Sequence, residues 1–239
     1  MAEGESENRN TGAGGATGNE SGPTTGAGGA TGNEEAGFDA PAAGGENPAR
    51  DGVKNDEEVA GEMSFDLQPT LKGELVELRP LGEEDFAELY AAASDPLVWE
   101  QHPASDRYKE DVFREFFRGA LESGGAFVVL DREDGRVIGS TRFHAYDEEN
   151  SEIEIGFTFL ARTHWGGRYN GEMKRLMLEH AFRFVRSVVF LVGPENHRSQ
   201  RAVEKIGGVR DGTRPNAVGR DSVLFRINGP DFLKGNPGR

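Results

Sequence analysis

From residue 71 onward, apolar positions recur with two different periods. "LKGELVELRPL" alternates and predicts a first strand. "GEEDFAELYAAAS" switches to helical spacing, with acids in its first turn and Phe86, Leu89 and Tyr90 on one face. "DPLVWEQHPASDRY" carries two prolines and reads as a loop. "YKEDVFREFFRGALES" predicts a second helix, burying Val112, Phe113, Phe116, Phe117, Ala120 and Leu121. "GAFVVLD" and "GRVIGSTRFHAYD" are strands joined by the turn REDG. In the fourth strand, "SEIEIGFTFLA", period two puts Glu152 and Glu154 on one face and Ile153, Ile155, Phe157 and Phe159 on the other. Two acids on one strand face are commonly a solvated surface. A glycine-rich turn then opens a helix to about residue 186, whose stripe is Met173, Leu176, Met177, His180, Ala181 and Phe184. "SVVFLVG" is a fifth strand. "NHRSQRAVEKIGG" is a short helix capped by Asn196 and stopped by Gly207–Gly208. "RDGTRPNAVGRDSVLFRI" closes the pattern as a hairpin. The order β-α-α-β-β-β-α-β-α-β-β describes one mixed α/β (α+β) domain, assigned to residues 63–239 and large enough for a sizeable core.

Residues 1–62 have almost nothing to bury. The decapeptide TGAGGATGNE occurs at 11–20 and again at 25–34. Such composition predicts a disordered acidic tail, either an interaction segment or a solvated one. A third reading starts the protein at Met63, just ahead of the first strand. The chain's formal charge is −15, but the first 62 residues hold 13 acids and 3 bases, whereas residues 63–239 hold 29 and 24. An acidic chain argues against nucleic acid as a partner. There is no cysteine, so disulfides, thiolate metal sites and acyl-cysteine intermediates are excluded. The five histidines are at 102, 144, 164, 180 and 197, too far apart for a local metal signature, and no metal is expected. No apolar run approaches the length of a membrane span, and a cytoplasmic location follows as the default.

The turn "WGGRYNGEMK" carries the clearest chemistry. A helix start has unpaired N–H groups and about half a positive charge, and glycine lets a ligand approach them closely. That suits a phosphate. The plainer alternative is a turn with Asn170 as N-cap. Residues 162–186 hold six Arg or Lys and two Glu, which favours the anion.

Five segments occur together and in order: "LRPL..EDF..L", "VIGSTRF", "EIGFTFL", "WGGRYNGEMKRLMLEHAF" and "N.RSQRAVEKIGG". On these, residues 71–228 resemble the GNAT superfamily of N-acetyltransferases, especially the branch with the ribosomal-protein-alanine acetyltransferases. The resemblance implies a mostly antiparallel twisted sheet, splayed between its fourth and fifth strands, with helices on both faces. It implies acetyl-CoA as donor and an amine as acceptor, either a protein N-terminus or a small molecule. The superfamily's pyrophosphate loop usually reads Gln/Arg-x-x-Gly-x-Gly/Ala. Aligned on Gly166, this chain has Thr163 at the first place and Arg168 at the last. Gly166, Gly167 and Gly171 keep backbone accessible, and Arg168 could meet a phosphate directly.

Within that frame the donor would be held by Thr158, Phe159 and Leu160, by Trp165, Gly166, Gly167, Arg168, Tyr169, Asn170 and Gly171, and by Asn196 and Ser199. Arg198 or Arg201 would meet the 3′-phosphate. A backbone N–H near Thr158 or Phe159 would face the developing oxyanion. Glu154 is the preferred base, acting directly or through water, with His144 its rival. Ser199 would protonate the leaving thiolate. Trp99, Glu100, His102 and Tyr108 would contact the acceptor, although Trp99 suits a core equally well. An exposed edge strand would allow a homodimer. The competing function is a non-catalytic acyl-CoA-binding or interaction module that kept the fold.

Overall fold

The computed structural model describes residues 64–235; the tail, Met63 and the boundary at 62/63 lie outside them. The first predicted strand is two, β1 (Leu71–Lys72) and β2 (Val76–Pro80), because Gly73 turns the chain so that its N–H bonds Val76 O at 2.8 Å. A 3₁₀ turn (Glu83–Asp85) leads into α1 (Phe86–Ala93). The predicted loop after α1 contains one short helix, α2 (Pro96–Trp99), because Asp95 caps it and proline takes its first position. Then follow α3 (Glu110–Glu122), β3 (Ala126–Asp131), β4 (Val137–Asp147) and β5 (Glu152–Leu160). The next elements are α4 (Arg168–Ala181), β6 (Ser187–Val192), α5 (His197–Lys205), β7 (Val209–Pro215), β8 (Asp221–Asn228) and α6 (Gly229–Gly235). α4 ends at Ala181 rather than near 186, since Phe182 turns back onto the last carbonyls. Asn196 caps α5 as expected, accepting from Ser199 N.

One sheet holds the eight strands in the order β1-β2-β3-β4-β5-β6-β8-β7. Its pairs are antiparallel except β5–β6. That parallel ladder joins only Glu152, Ile153 and Glu154 to Ser187, Val188 and Val189. Beyond it β5 continues to Leu160 along β4 without β6, so the two strands diverge. This is the splay the resemblance implied.

Two apolar clusters cover the sheet. The α4 stripe (Met173, Leu176, Met177, Ala181) packs with Val76, Leu78, Phe143, Ile153 and Ile155. On the other face α1, α2 and α3 bring Leu89, Trp99, Phe113 and Phe117 onto Val128 and Phe159. The alternation predicted for β5 fails at one point. Two residues, Phe157 and Thr158, stand opposite Thr141 alone, a bulge between the pairs Ser140–Phe159 and Arg142–Gly156. Beyond it the faces exchange. Phe157 and Phe159 therefore lie with Glu154, on the α1–α3 face, and not with Ile153 and Ile155.

Glu172 fastens α4 to the start of the sheet. Its carboxylate accepts from the backbone N–H of Glu74, Leu75 and Val76 at 2.9, 2.7 and 2.9 Å. Burial alone would raise its pKa, but the three amides hold it below its usual 4.5. Glu172→Ala leaves those amides unpaired and should cost about 3 kcal/mol in urea unfolding at pH 7. Because the folded-state pKa is lowered, this contribution is complete above 4.5 and fades as pH falls below it. The gap between variant and wild type should narrow accordingly in acid.

Candidate active site

The diverging strands leave residues 156–160 of β5 with an edge that β6 does not pair. Ala161 N donates to Ile138 O of β4 at 2.7 Å, so one residue earlier the Leu160 backbone points to the open edge. Trp165 Nε1 donates to Leu160 O there, at 2.9 Å. The Arg198 guanidinium lies 4.1 Å over the Trp165 ring, bringing the first turn of α5 against the loop before α4. Arg198 also donates from its guanidinium to Val98 O and from its backbone N–H to Gln101 Oε1, so it ties α5 to α2 and the residues just after it. Ser199, next to it, is half-buried and its hydroxyl has no partner among the described residues.

α4 begins at Arg168. Its N-cap is Gly167, not Asn170, and no side chain caps it. Gly166 and Gly167 have φ of 109° and 105°, which side chains other than glycine's rarely tolerate. A Cβ on either, or on Gly171, would meet only open space. The loop is pinned from behind. His164 Nε2 lies 3.0 Å from Asp131 Oδ2, Tyr169 OH donates to the same oxygen at 3.2 Å, and Thr163 Oγ1 is 2.8 Å from His164 Nδ1. Thr163 and Tyr169 are thus part of the pin, while Arg168 is exposed without an ion-pair partner among the described residues. The first-turn amides face outward in a fixed frame, a fit for a diphosphate.

On the α1–α3 face, neither Glu152 nor Glu154 is solvated; they are 6% and 8% exposed. Glu152 is committed to the sheet. It pairs with Arg214 of β7 at 2.7 Å and with Arg226 of β8, which outweigh its burial and hold its pKa low. Glu154 has no arginine partner among the described residues. Its Oε1 lies 3.1 Å from Nε2 of His144, the residue opposite it on β4. The contact is off a hydrogen-bond line, and Nε2 has no other partner among the described residues. Gly156 makes room for it, since a Cβ there would stand 2.8 Å from His144 Nε2. Phe157 completes the wall. Its φ of 51° is a strained conformation for a bulky residue, and its ring centroid lies 4.9 Å from that of His144.

Of the expected acceptor contacts, Trp99 is core. It is 2% exposed, its Nε1 donates to Ala93 O, and its ring packs on Phe159. Glu100 is exposed, His102 half-buried beside Trp99, and Tyr108 half-buried on the same cluster.

Sequence reading missed Lys174. Counted among the basic residues favouring a phosphate, it instead points inward from α4 and is 4% exposed. Its Nζ donates to Thr158 Oγ1 at 2.6 Å and Thr141 Oγ1 at 3.1 Å, directly under the bulge. Its place between Met173 and Arg175, on the edge of the apolar stripe, was the available signal.

A family model described as an acetyltransferase (GNAT) domain matches residues 76–209. The uncharacterized N-acetyltransferase p20 of Bacillus licheniformis is 28% identical over 150 residues, 60% of this chain and 84% of its own. In fold, a GCN5-related N-acetyltransferase from Brucella melitensis matches with a TM-score of 0.61 at 24% identity, over 69% of this chain and 80% of that one. Mycobacterium smegmatis RimJ, solved in complex with CoA-disulfide, matches with a TM-score of 0.54 at 19% identity, over 71% and 93%.

Burial pulls the Lys174 ammonium from 10.5 down to about 7. The unfolded chain therefore keeps a proton that the native chain gives up between those values, so stability rises with pH across that window. Below it the full cost of the buried charge applies. Lys174→Met, which leaves Thr141 and Thr158 to bond each other, should stabilise the fold by about 1–3 kcal/mol at pH 6. Urea unfolding at pH 6 and pH 9.5 should show that gain shrinking with alkalinity.

Proposed function

The chain belongs to the GNAT acetyltransferase domain family and is an acyltransferase, and on that premise we propose that it carries acetyl from acetyl-CoA directly to an amine. The acceptor is a protein N-terminus or a small-molecule amine, and the setting is cytoplasmic. Among the described residues no helix is long and apolar enough to cross a membrane.

The observation that carries the reading is the open edge of β5 beside an uncommitted buried carboxylate. The donor supplies an acetyl thioester. The uncapped amides at Arg168, Tyr169 and Asn170, with the Arg168 side chain, take its diphosphate, and Gly166 and Gly167 let it approach. The open edge of the β5 backbone at Thr158 and Leu160, on either side of the β4-bonded Phe159, holds the pantetheine arm and polarises the carbonyl. Trp165, already stacked on Arg198, closes the outer end of that channel. Asn196 holds the first turn of α5, so that the free Ser199 hydroxyl can give a proton to the departing thiolate. Arg198 is occupied with Val98 and Trp165, which leaves the exposed Arg201 for a 3′-phosphate.

Glu154 accepts the proton of the attacking amine. His144 positions the carboxylate from β4, and Phe157 confines both. Glu152 cannot take this part, because its oxygens are held by two arginines. A protein α-amine, with pKa of about 7.7–8.0, is roughly a tenth neutral at pH 7, so one weak base suffices for it; lysine would need far more help. A dimer through the exposed edge strand β7 fits the scheme but is not required by it.

Glu154→Gln should lower kcat by about 100-fold or more while leaving the Kd for acetyl-CoA unchanged. Ser199→Ala should lower kcat less. Thiol release and calorimetry measure the two quantities separately. If both variants turn over as wild type does, these roles are wrong. If wild type binds acetyl-CoA and labels no amine in host lysate, the chain is an acyl-CoA-binding module.

A further inference from the structure

Two arginines beside the Glu154 site, Arg107 and Arg142, make no salt bridge among the described residues. Arg142 lies on β4 two positions before His144 and on the same face. It is 7% exposed. Its Nη1 donates to Gly119 O at 3.2 Å, and its guanidinium lies 4.2 Å over the Phe157 ring. Its Nε is buried with no hydrogen-bond partner among the described residues. Arg107, from the segment between α2 and α3, is half-buried, 4.4 Å over the ring of Phe116. Arg142 is 5.9 Å from that same ring, so the two cations share one aromatic wall.

His102 does not compensate them. Its Nδ1 accepts Ala104 N–H at 2.9 Å, and burial together with Arg107 pulls its pKa to about 4. The neutral ring must then carry its proton on Nε2, the atom 3.3 Å from Arg107 Nη1, where donor faces donor. Of the carboxylates on the same face of β5, Glu152 is held by Arg214 and Arg226, and Glu154 contacts His144 and makes no salt bridge to either arginine. Asp106, adjacent to Arg107, is exposed, and its pull on Arg107 is smaller than the effects of burial and of Arg142. Burial pulls both arginines down to about 10, and Arg142 adds its repulsion to Arg107. Both remain charged at neutral pH. Burying two like charges near one aromatic ring is unfavourable unless an anion joins them.

Arg142 and His144 are separated by about 6.6 Å along the strand. An anion on the arginines and an amine at Glu154 therefore belong to one small unit. We propose that Arg107 and Arg142 bind a carboxylate of the acceptor, which makes the substrate an amine carrying a carboxylate a few bonds from the nitrogen. This rests on the Glu154 side being the acceptor side. A free amino acid and a peptide with an acidic residue at its start both present that chemistry.

The full chain and acetyl-CoA are assayed with matched pairs: amino acids and their carboxamides, and peptides opening with Ser-Asp or Ser-Glu against Ser-Asn or Ser-Gln. The carboxylate member of a pair should show about 10- to 100-fold higher kcat/KM. A preference confined to the first set names a free amino acid; one confined to the second names an acidic N-terminus. Arg142→Met and the more exposed Arg107→Gln should each erase most of it through acceptor KM, with the KM for acetyl-CoA unchanged; the second covers loss of fold in the first. Calorimetry of N-acetyl amino acids against their amides, with CoA present, reads the anion site without turnover. Acids binding more tightly while no amine is acetylated would uphold the anion site and overturn acetyl transfer to these amines. Acids and amides bound and used alike would overturn the proposal.

Discussion

Three residue pairs hold β5 to β6, and then the two strands part. The rest of the site depends on that short ladder. Had pairing continued, the backbone of residues 156–160 would be spent within the sheet and would have nothing to offer a ligand. The strand does not fray, because its other edge remains bonded to β4 as far as Leu160. It is thus a rigid strand with one free edge. The bulge at Phe157–Thr158 lies at the start of that edge and turns Phe157 toward His144 and Arg142. The cost is a bulky residue at positive φ, a strain that persists because the sheet on one side and α3 on the other confine it.

The charges divide by neighbourhood. On β5, Glu152 and Glu154 share a face and similar burial, yet their surroundings separate them. Glu152 meets arginines from β7 and β8 and becomes a clasp that holds the distal strands. Among the described residues Glu154 meets an imidazole and no arginine. Lys174 makes the same point for a cation. Buried under the bulge against two hydroxyls, it does not sit where a phosphate could meet it. Arg168, exposed at the first position of α4, does.

What could be read from the chain was whatever depends on local period. The α4 stripe, the α3 face, the Asn196 cap and the run of strands from GAFVVLD to SVVFLVG all rest on neighbours within a few residues, and they stand as expected. The errors lie where a distant partner decides. The reversal of Phe157 and Phe159 comes from a mismatch with β4 that no pattern within β5 reveals. Asn170 was a plausible cap, but two glycines at positive φ let the helix start three residues earlier. Trp99 suited a core and a binding loop equally from the sequence, and its packing on Ala93 and Phe159 places it in the core. Glu152 and Glu154 resembled a solvated pair because the arginines and helices covering them are remote in sequence.

The two halves of the site are built to different standards of rigidity. The donor half is over-determined: Glu172 binds α4 to β1 and β2, Asp131 binds His164 and Tyr169, and the loop between them has little freedom left. Such anchoring suits a ligand that is the same in every turnover. The half proposed for the acceptor draws His102 and Arg107 from the segment after α2, a helix of four residues followed by ten residues before α3. There the sheet supplies a carboxylate and a buried arginine at fixed spacing, and the loop supplies the second cation. In the proposed scheme the strands carry the base, and that segment selects the acceptor by what it lays beside them. A fold that holds its donor tightly can therefore change acceptor by changing the loop alone.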